Sequence, residues 1–492
     1  MARSSDSIFA AKIIDLWDRS QQSWGAGLNW HEAVPGDVIT LTDFYCEEDL
    51  GSHLSEWESG IPEKWQTAVV VLNSELMLRL RHPESGEEID LPGDGLYWDV
   101  IESQAVDGLR AWALSNRRPE GVAWSDAAVG GRLWSSLKQA VDRLSDDEPV
   151  DYHPGSGTRV RDLVHPSLYP FVEGRSVSRR AATKAKDPEF DRFGRPFERS
   201  RFQWLPTPFT VSSSGSVSID AYINNLDQAK HPDLYGALSQ LFEAALPLFE
   251  SVLGYVDETD LWIEGADEDT STIDWTKYIE APDPNRYLTS LLRDQSRPTS
   301  GRSLRNRTLQ VIPKIVEYRL TPGEEHEGVW HVEGMSHEHV IATCVYVLER
   351  DETILGGDLE FRRAFTSAEA EILIHGLGQI NMPYALQDLF DTEGPPLGSL
   401  DTPEGRMIVF PNSHIHRLSH MRLAPGADEG RRRIVVFWLV DPDVEIHSTA
   451  DVEPQQEVFT REEALEFRLE LMEERRLHKQ SLNPRAVNLC EH

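Results

Sequence analysis

Cysteine is scarce in this chain. Cys46, Cys344 and Cys490 are the whole complement, far apart and odd in number. That excludes a disulfide-stapled scaffold and a Cys-rich zinc module, and fits a reducing cytosol, so a cytoplasmic protein is expected. Positive charge is also short: 48 Lys and Arg face 83 Asp and Glu, for a net charge of −35. Such a field repels nucleic acid and anionic membranes, both of which are bound through Lys and Arg. A small-molecule substrate or a basic polypeptide stays compatible, and the acidity itself reads as a solubility device. Long apolar runs are missing as well. No stretch approaches the roughly 18 uncharged apolar residues of a membrane helix. Lys12 and Asp15 interrupt the opening "MARSSDSIFAAKIIDLWDRS", so no secretory signal is expected.

What is present is enough to fold. Of 492 residues, 39% are hydrophobic and 9% aromatic, which supports one large core or two to three domains. Helical spacing of apolar residues predicts helices over 7–20, 131–145 and 231–254, the last with Gly254 as its stop. "QTAVVVLNSELMLRLR" (66–81) predicts one or two strands. The basic stretch 176–202 lacks hydrophobic period and reads as a loop whose charges are solvated or pair internally. Residues 256–305 read as a surface excursion. From 308 onward the text turns into short β-branched and aromatic runs separated by Pro322-Gly323, Gly356-Gly357, Pro411-Asn412 and Pro425-Gly426. This is the pattern of an all-β sandwich or barrel, jelly rolls included, interrupted by a helical insert, "TSAEAEILIHGLGQ". Thr460 and Glu463 form a capping box that opens a final amphipathic helix.

Within that β-rich text lies "WHVEGM" (330–335). In a strand, His331 and Glu333 project to one side, with Val332 on the other. An imidazole and a carboxylate on one face are two of the three ligands of a facial triad, the arrangement that holds non-haem Fe(II) and leaves open positions. The third ligand must be a distant His. "FPNSHIHRLSH" offers His414, His416 and His420; His416, ahead of Arg417-Leu418, is the preferred one and His414 its main rival. A 2-oxoglutarate cosubstrate further needs a cation for its distal carboxylate, which Arg grips bidentately. Arg431, Arg432 and Arg433 compete for that role. Strand alternation groups Arg432 with Ile434, Val436 and Trp438, and the other two with Val435 and Phe437.

Successive blocks over about residues 150–456 resemble one family. They are "YHPGSGTRVRDLVHPSLYPFVEGRS" (152–176), "QWLPTPFTV" (203–211), "YINNL" (222–226), "WHVEGM", "LEFR" (359–362), "GRMIVFPNSHIHRL" (405–418) and "GRRRIVVFWLVDP" (430–442). The family is a largely uncharacterised, mainly fungal one placed with the 2-oxoglutarate/Fe(II)-dependent oxygenases. Its Trp-His-Val-Glu-Gly-Met pattern, with a Glu-His pair further on, is kept here as Trp330 to Met335, Glu338 and His339. Its Gly, variable, Arg, Lys block puts the anchoring Arg on Arg432, with Arg433 at the Lys position. Ile415 stands where the family usually has Gln.

The resemblance implies an α+β chain with a double-stranded β-helix (jelly-roll, cupin-like) catalytic core and surrounding helices. Residues 1–150 are expected as an N-terminal α/β extension and 151–456 as the oxygenase-like domain, with its core mostly in 305–445. Residues 457–492 then form a C-terminal helix and tail. It implies Fe(II) on His331, Glu333 and His416, and 2-oxoglutarate on Arg432. It also implies oxidation by O2 of an unactivated C–H bond of a small molecule, an amino acid or natural-product intermediate, with release of succinate and CO2. Tyr222, Asn224, Asn225 and Arg362 are candidate substrate contacts. For the asparagines the competing reading is turn chemistry, and for Arg362 a core ion pair. His337, Glu338 and His339 read as structural or as supports of the ligands, Trp330 and Trp438 as core. Two other classes stay open: a cupin-like hydrolase or isomerase using another metal on the same ligands, and a non-catalytic binding module.

Overall fold

The computed structural model describes residues 38–42, 67–72, 78–81, 88–90, 119–180, 187–259, 302–364 and 396–481. The helices predicted at 7–20 and at "TSAEAEILIHGLGQ" lie outside the described residues, as does most of 256–305. The β-branched run at 66–81 gives two strands of a small antiparallel sheet. That sheet has the order β1 (Val38–Thr42), β2 (Thr67–Leu72), β3 (Leu78–Arg81), β4 (Glu88–Asp90).

After β5 (Ala123–Ser125) comes helix α1 (Gly131–Asp147), whose buried Leu137, Ala140, Val141 and Leu144 recur at helical spacing. Strands β6 (Val160–Val164), β7 (Phe171–Val172), β8 (Phe202–Gln203), β9 (Thr207–Val211) and β10 (Val217–Ile219) lead to helix α2 (Pro232–Glu258). Pro232 opens α2 where its missing N–H costs nothing. Gly254 does not stop it; the helix runs on to Glu258, with Leu253, Tyr255 and Val256 all buried. Burying such side chains, at about 1.5–3 kcal/mol each, outweighs the roughly 1 kcal/mol that a helical glycine costs.

The remaining described residues form β11 (Arg307–Leu320), β12 (Glu325–His326), β13 (Val340–Arg350), β14 (Ile354–Gly356), β15 (Leu359–Arg362), β16 (Pro396–Leu400), β17 (Met407–Pro411), β18 (Ile415–Leu418), β19 (Met421–Leu423), β20 (Gly430–Val440), a short helical turn at Gln455–Val458 and helix α3 (Arg461–Ser481). Its capping box forms as expected: Thr460 N–H donates to Glu463 Oε2 at 3.0 Å, and Glu463 N–H to Thr460 Oγ1 at 3.2 Å.

One large antiparallel sheet runs β10-β9-β11-β20-β13-β17-β5, with β6 also on β11. Residues 119–147, assigned from sequence to the N-terminal region, thus supply its edge strand and a covering helix. A second layer holds the order β16-β15-β18 and, beside it, β12-β19-β14. The large sheet is covered on both faces, which is why β13 and β20 read as nearly unbroken apolar runs. Val435, Phe437 and Leu439 of β20 pack with α2, where the Phe242 and Phe437 rings meet edge to face at 5.4 Å. Ile434, Val436 and Trp438 face the other way, into a core shared with Leu359 and Phe361 of β15, Phe410 of β17 and Phe467 of α3. The candidate site opens off this second core.

Candidate metal centre

Residues 330–335 do not continue as a strand. Gly334 takes φ 72°, and a short 3-10 turn at Ser336–Glu338 follows. Only His331 pairs, in an isolated antiparallel bridge to His416: His331 N–H donates to His416 O at 3.0 Å, and His416 N–H to His331 O at 2.9 Å. The bridge sets the two imidazoles side by side, ring centres 4.4 Å apart, and Glu333 turns its carboxylate to both. The structure therefore brings together the three side chains that spacing grouped, but through a bridge and a turn rather than strand alternation.

Ligand atoms of His331, Glu333 and His416 all lie within 4.8 Å of one another. His331 Nδ1 is 2.7 Å from the Val329 carbonyl, and His416 Nδ1 is 3.4 Å from that of His414. A carbonyl only accepts, so each ring carries its proton on Nδ1 and presents an Nε2 lone pair. Both Nε2 atoms stand 3.6 Å from the same oxygen, Glu333 Oε1, too far for a hydrogen bond. Two lone pairs aimed at one carboxylate oxygen repel unless a cation or a proton sits among them. Ligands on an ion with bonds of about 2.1 Å stand about 3 Å apart at right angles and about 3.6 Å apart at 120°, so the separations found lie at the wide end of that range. The donor set fits a divalent transition metal. Phe361 and Phe410 pack on His416 and shield it, while His331, at 20% side-chain exposure, marks the open side. A small pocket open to solvent touches Glu333 and is walled by Phe193, Arg195, Met335 and His339.

His414, the rival ligand, points elsewhere: its Nε2 donates to the Glu120 carbonyl at 2.8 Å, and burial pushes its pKa down to about 4. His420 pairs with Glu325 at 3.0 Å. The three arginines separate in the same way. Arg431 pairs with Glu349, and Arg433 with Glu317, Asp142 and Glu349. Arg432 is 1% exposed and lies opposite Tyr318, whose ring it faces at 5.8 Å. Its Nε and Nη1 have no hydrogen-bond partner. Burial lowers its pKa to about 10, so it stays charged at neutral pH. A buried cation with idle N–H groups is costly, and a carboxylate docked against it would supply the missing acceptors.

The candidate substrate contacts are otherwise engaged. The Tyr222 hydroxyl donates to the carbonyls of Val452 and Glu453 at 3.1 and 3.0 Å. Asn224 Nδ2 donates to the Leu168 and Tyr169 carbonyls, and Asn225 takes the left-handed φ of 63° in its turn. Arg362 lies across the ring of Trp330, and Arg417 packs on that ring too, at 4.5 and 4.8 Å. Alternation from Phe361, which faces His416, puts Arg362 on the opposite side of β15 from the triad. Glu338, fully buried, accepts from Met335 N–H, Trp204 N–H and Arg475 of α3, and so ties the turn after Glu333 to the last helix. His337 bonds the Phe202 carbonyl. Trp438 is core, as expected, stacked on Trp204 at 4.6 Å. The basic stretch supplies ion pairs to the acidic surface, among them Arg192 with Asp441 and Arg180 with Glu445.

A second cluster, His153, Asp162 and His165, is as tight as the first but differs in chemistry. His153 Nδ1 donates directly to Asp162 Oδ2 at 2.9 Å, and His165 Nδ1 accepts from Ser167 N–H at 3.1 Å, so its Nε2 holds the proton. Arg468 stands 3.9 Å from Asp162. The His153 and Arg468 contacts engage Asp162 Oδ2, while Asp162 Oδ1 has no hydrogen-bond partner. Asn412 is the residue that sequence reasoning passed over; its amide bonds the peptide of Glu333, and only its place between Pro411 and the histidines hinted at more than a turn.

Solved structures to which this chain is similar include an oxidoreductase of the 2OG-Fe(II) oxygenase family from Burkholderia pseudomallei. It is 13% identical with a TM-score of 0.17, over 30% of this chain and 47% of that one, so the chain spans about half its length. A prolyl hydroxylase from Trichoplax adhaerens, in complex with a hypoxia inducible factor oxygen degradation domain peptide fragment, is 9% identical with a TM-score of 0.27, covering 71% and 95%. A Pseudomonas putida prolyl-4-hydroxylase is 10% identical with a TM-score of 0.25, covering 69% and 98%. Overlaps this slight fix neither fold nor activity. No curated protein matches the chain. A family model does match, over residues 111–463, more than two thirds of the sequence, and the chain belongs to that family, described as "Protein of unknown function (DUF4246)".

Proposed function

We propose that this chain is a non-haem Fe(II)- and 2-oxoglutarate-dependent oxygenase that oxidises a C–H bond of a small molecule. One observation carries the reading: two imidazoles with their Nδ1–H groups turned to carbonyls offer Nε2 to one oxygen of Glu333. That is the facial set of two His and one carboxylate. Iron with 2-oxoglutarate, when bound, supplies the oxidising power from O2, releasing succinate and CO2.

The chain's own groups do the rest. Glu333 and the imidazoles would hold the ion on one side and leave the other open. Arg432 offers two N–H groups to the far carboxylate of 2-oxoglutarate from the core that also backs His416. That buried, idle cation favours this reading over a cupin-like hydrolase on the same three ligands, which has no use for it. Phe361 and Phe410 keep water from the closed side of His416. The strand order supports a double-stranded β-helix: β11, β13, β17 and β20 lie in the large sheet, and the His331 bridge, β15, β16 and β18 lie in the facing layer. The proposed substrate is small, since the net charge of −35 opposes nucleic acid. Among the described residues no helix is long and apolar enough to cross a membrane; a cytoplasmic site of action rests on the scarcity of cysteine.

The test is succinate release from 2-oxoglutarate, dependent on both Fe(II) and O2, together with a visible absorption band on anaerobic addition of Fe(II) and 2-oxoglutarate. Glu333→Ala should abolish both and keep the wild-type circular dichroism. Succinate release that survives this substitution would remove Glu333 from the site and the reading with it.

A further inference from the structure

Glu333 lies outside any strand, so no ladder fixes its peptide, yet its carboxylate must meet two rings held by a bridge elsewhere. One side chain fills that gap. Asn412 Oδ1 accepts from Glu333 N–H at 2.8 Å, and Asn412 Nδ2 donates to Glu333 O at 2.9 Å. The second Nδ2 hydrogen reaches Val340 O at 2.9 Å, at the start of β13. All the partners are backbone groups of fixed polarity, so the amide can face only one way. It does for Glu333 what the peptide of a neighbouring strand would do.

Asn412 is itself immobile. It is 2% exposed, its N–H donates to Ile341 O at 2.9 Å, and its carbonyl accepts from Arg195 Nη1 at 3.1 Å. It also stands at the head of the turn that delivers His416, with His414 N–H closing on Pro411 O at 3.1 Å. One residue therefore touches the main chain of the carboxylate ligand and begins the segment carrying the distal imidazole.

We infer that Asn412 is a positioning residue for the metal centre: its amide sets the Glu333 peptide, and through it the carboxylate, at the place that His331 and His416 require. The inference rests on the metal-centre reading above. Groups that orient metal ligands without touching the ion commonly govern affinity by about 10- to 100-fold.

The experiment uses the full chain, stripped with EDTA and titrated with Mn(II), free and bound ion being followed by electron paramagnetic resonance. Asn412→Asp keeps the size and the acceptor for Glu333 N–H but removes both donors. Its added negative charge alone would strengthen cation binding, so weaker binding reports a misplaced ligand. The expected result is Mn(II) affinity lowered about 10- to 100-fold, an altered bound-state spectrum, and a metal-free protein that keeps the wild-type circular dichroism while melting earlier, since a buried carboxylate replaces the donor amide. Asn412→Ala should lower affinity at least as far; if it fails to fold, Asn412→Asp decides alone. Unchanged affinity and spectrum in Asn412→Asp would overturn the inference while leaving the metal reading intact. Wild type that binds no Mn(II), or His331→Ala that binds it as well as wild type, would overturn the metal reading itself.

Discussion

At the scale of single residues, the division of labour among Arg431, Arg432 and Arg433 makes the sharpest prediction. Arg431 and Arg433 already face carboxylates, and Arg432 alone of the three is buried with idle donors. Arg432→Met should weaken 2-oxoglutarate binding by about 10- to 100-fold, the worth of hydrogen bonds to a charged partner at roughly 1.5–3 kcal/mol. It should also leave the ligand-free protein as stable or more so, because it removes an uncompensated buried cation. Arg431→Ala should leave 2-oxoglutarate binding unchanged and cost at most about 1 kcal/mol, since its pair with Glu349 is partly exposed. Titration calorimetry and thermal melts read both, and equal 2-oxoglutarate affinity in the two variants would refute the assignment. The grouping of His331, Glu333 and His416 was legible in sequence from residue type and order, whereas Arg432 was picked from three arginines by the family resemblance. Tyr222, Asn224 and Asn225 misled because amides and phenols serve turns as readily as ligands, and nothing local tells the two apart. Asn412 escaped because its role is to bond a peptide distant in sequence.

At the scale of elements, periodicity located α1, α2, α3 and the long strands, since one-sided burial leaves a period that survives in the sequence. It misplaced the end of α2, where packing overrode the glycine signal, and it read a strand at 330–335 where a bridge and a turn stand. Elements made by a single backbone pair leave no period to find. The β20 faces yield a graded prediction. Phe437→Ala, in the core under α2, should cost about 3–5 kcal/mol as a cavity. Thr460→Ala should cost only about 1 kcal/mol, losing one end of the α3 capping box. Urea unfolding midpoints would rank them, and a reversed order would show that α3, not the helix-covered face, limits stability.

At the scale of the whole molecule, buried titratable groups set the response to acid. Burial holds His165 and His337 below the ordinary histidine value of 6.5, so unfolding takes up protons that the folded state refuses. Stability should therefore begin to fall as pH drops below about 6.5. Burial alone would raise the Glu120 carboxyl, yet Arg363 holds it at about 2 against an ordinary 4.5; its contribution is complete above 4.5 and lost as pH falls from there towards 2. Urea midpoints should decline gently from pH 6.5 to 4.5 and steeply below, whereas a midpoint flat down to pH 4 would contradict the buried neutral histidines. The contacts that close this fold join distant parts of the chain: Arg363 with Glu120 across 243 positions, Trp134 with Leu348 across 214, and Arg475 with Glu338 across 137. Such closures come late and make folding slow. The His331–His416 bridge joins residues 85 positions apart and is itself a long closure, expected late in folding. Mn(II) should then slow unfolding in stopped-flow measurements without speeding refolding; faster refolding would mean that the ligands gather early. On the proposed reading the ion would act as an inspector at the end of assembly, retained by chains that have closed every long loop and indifferent to those still under construction.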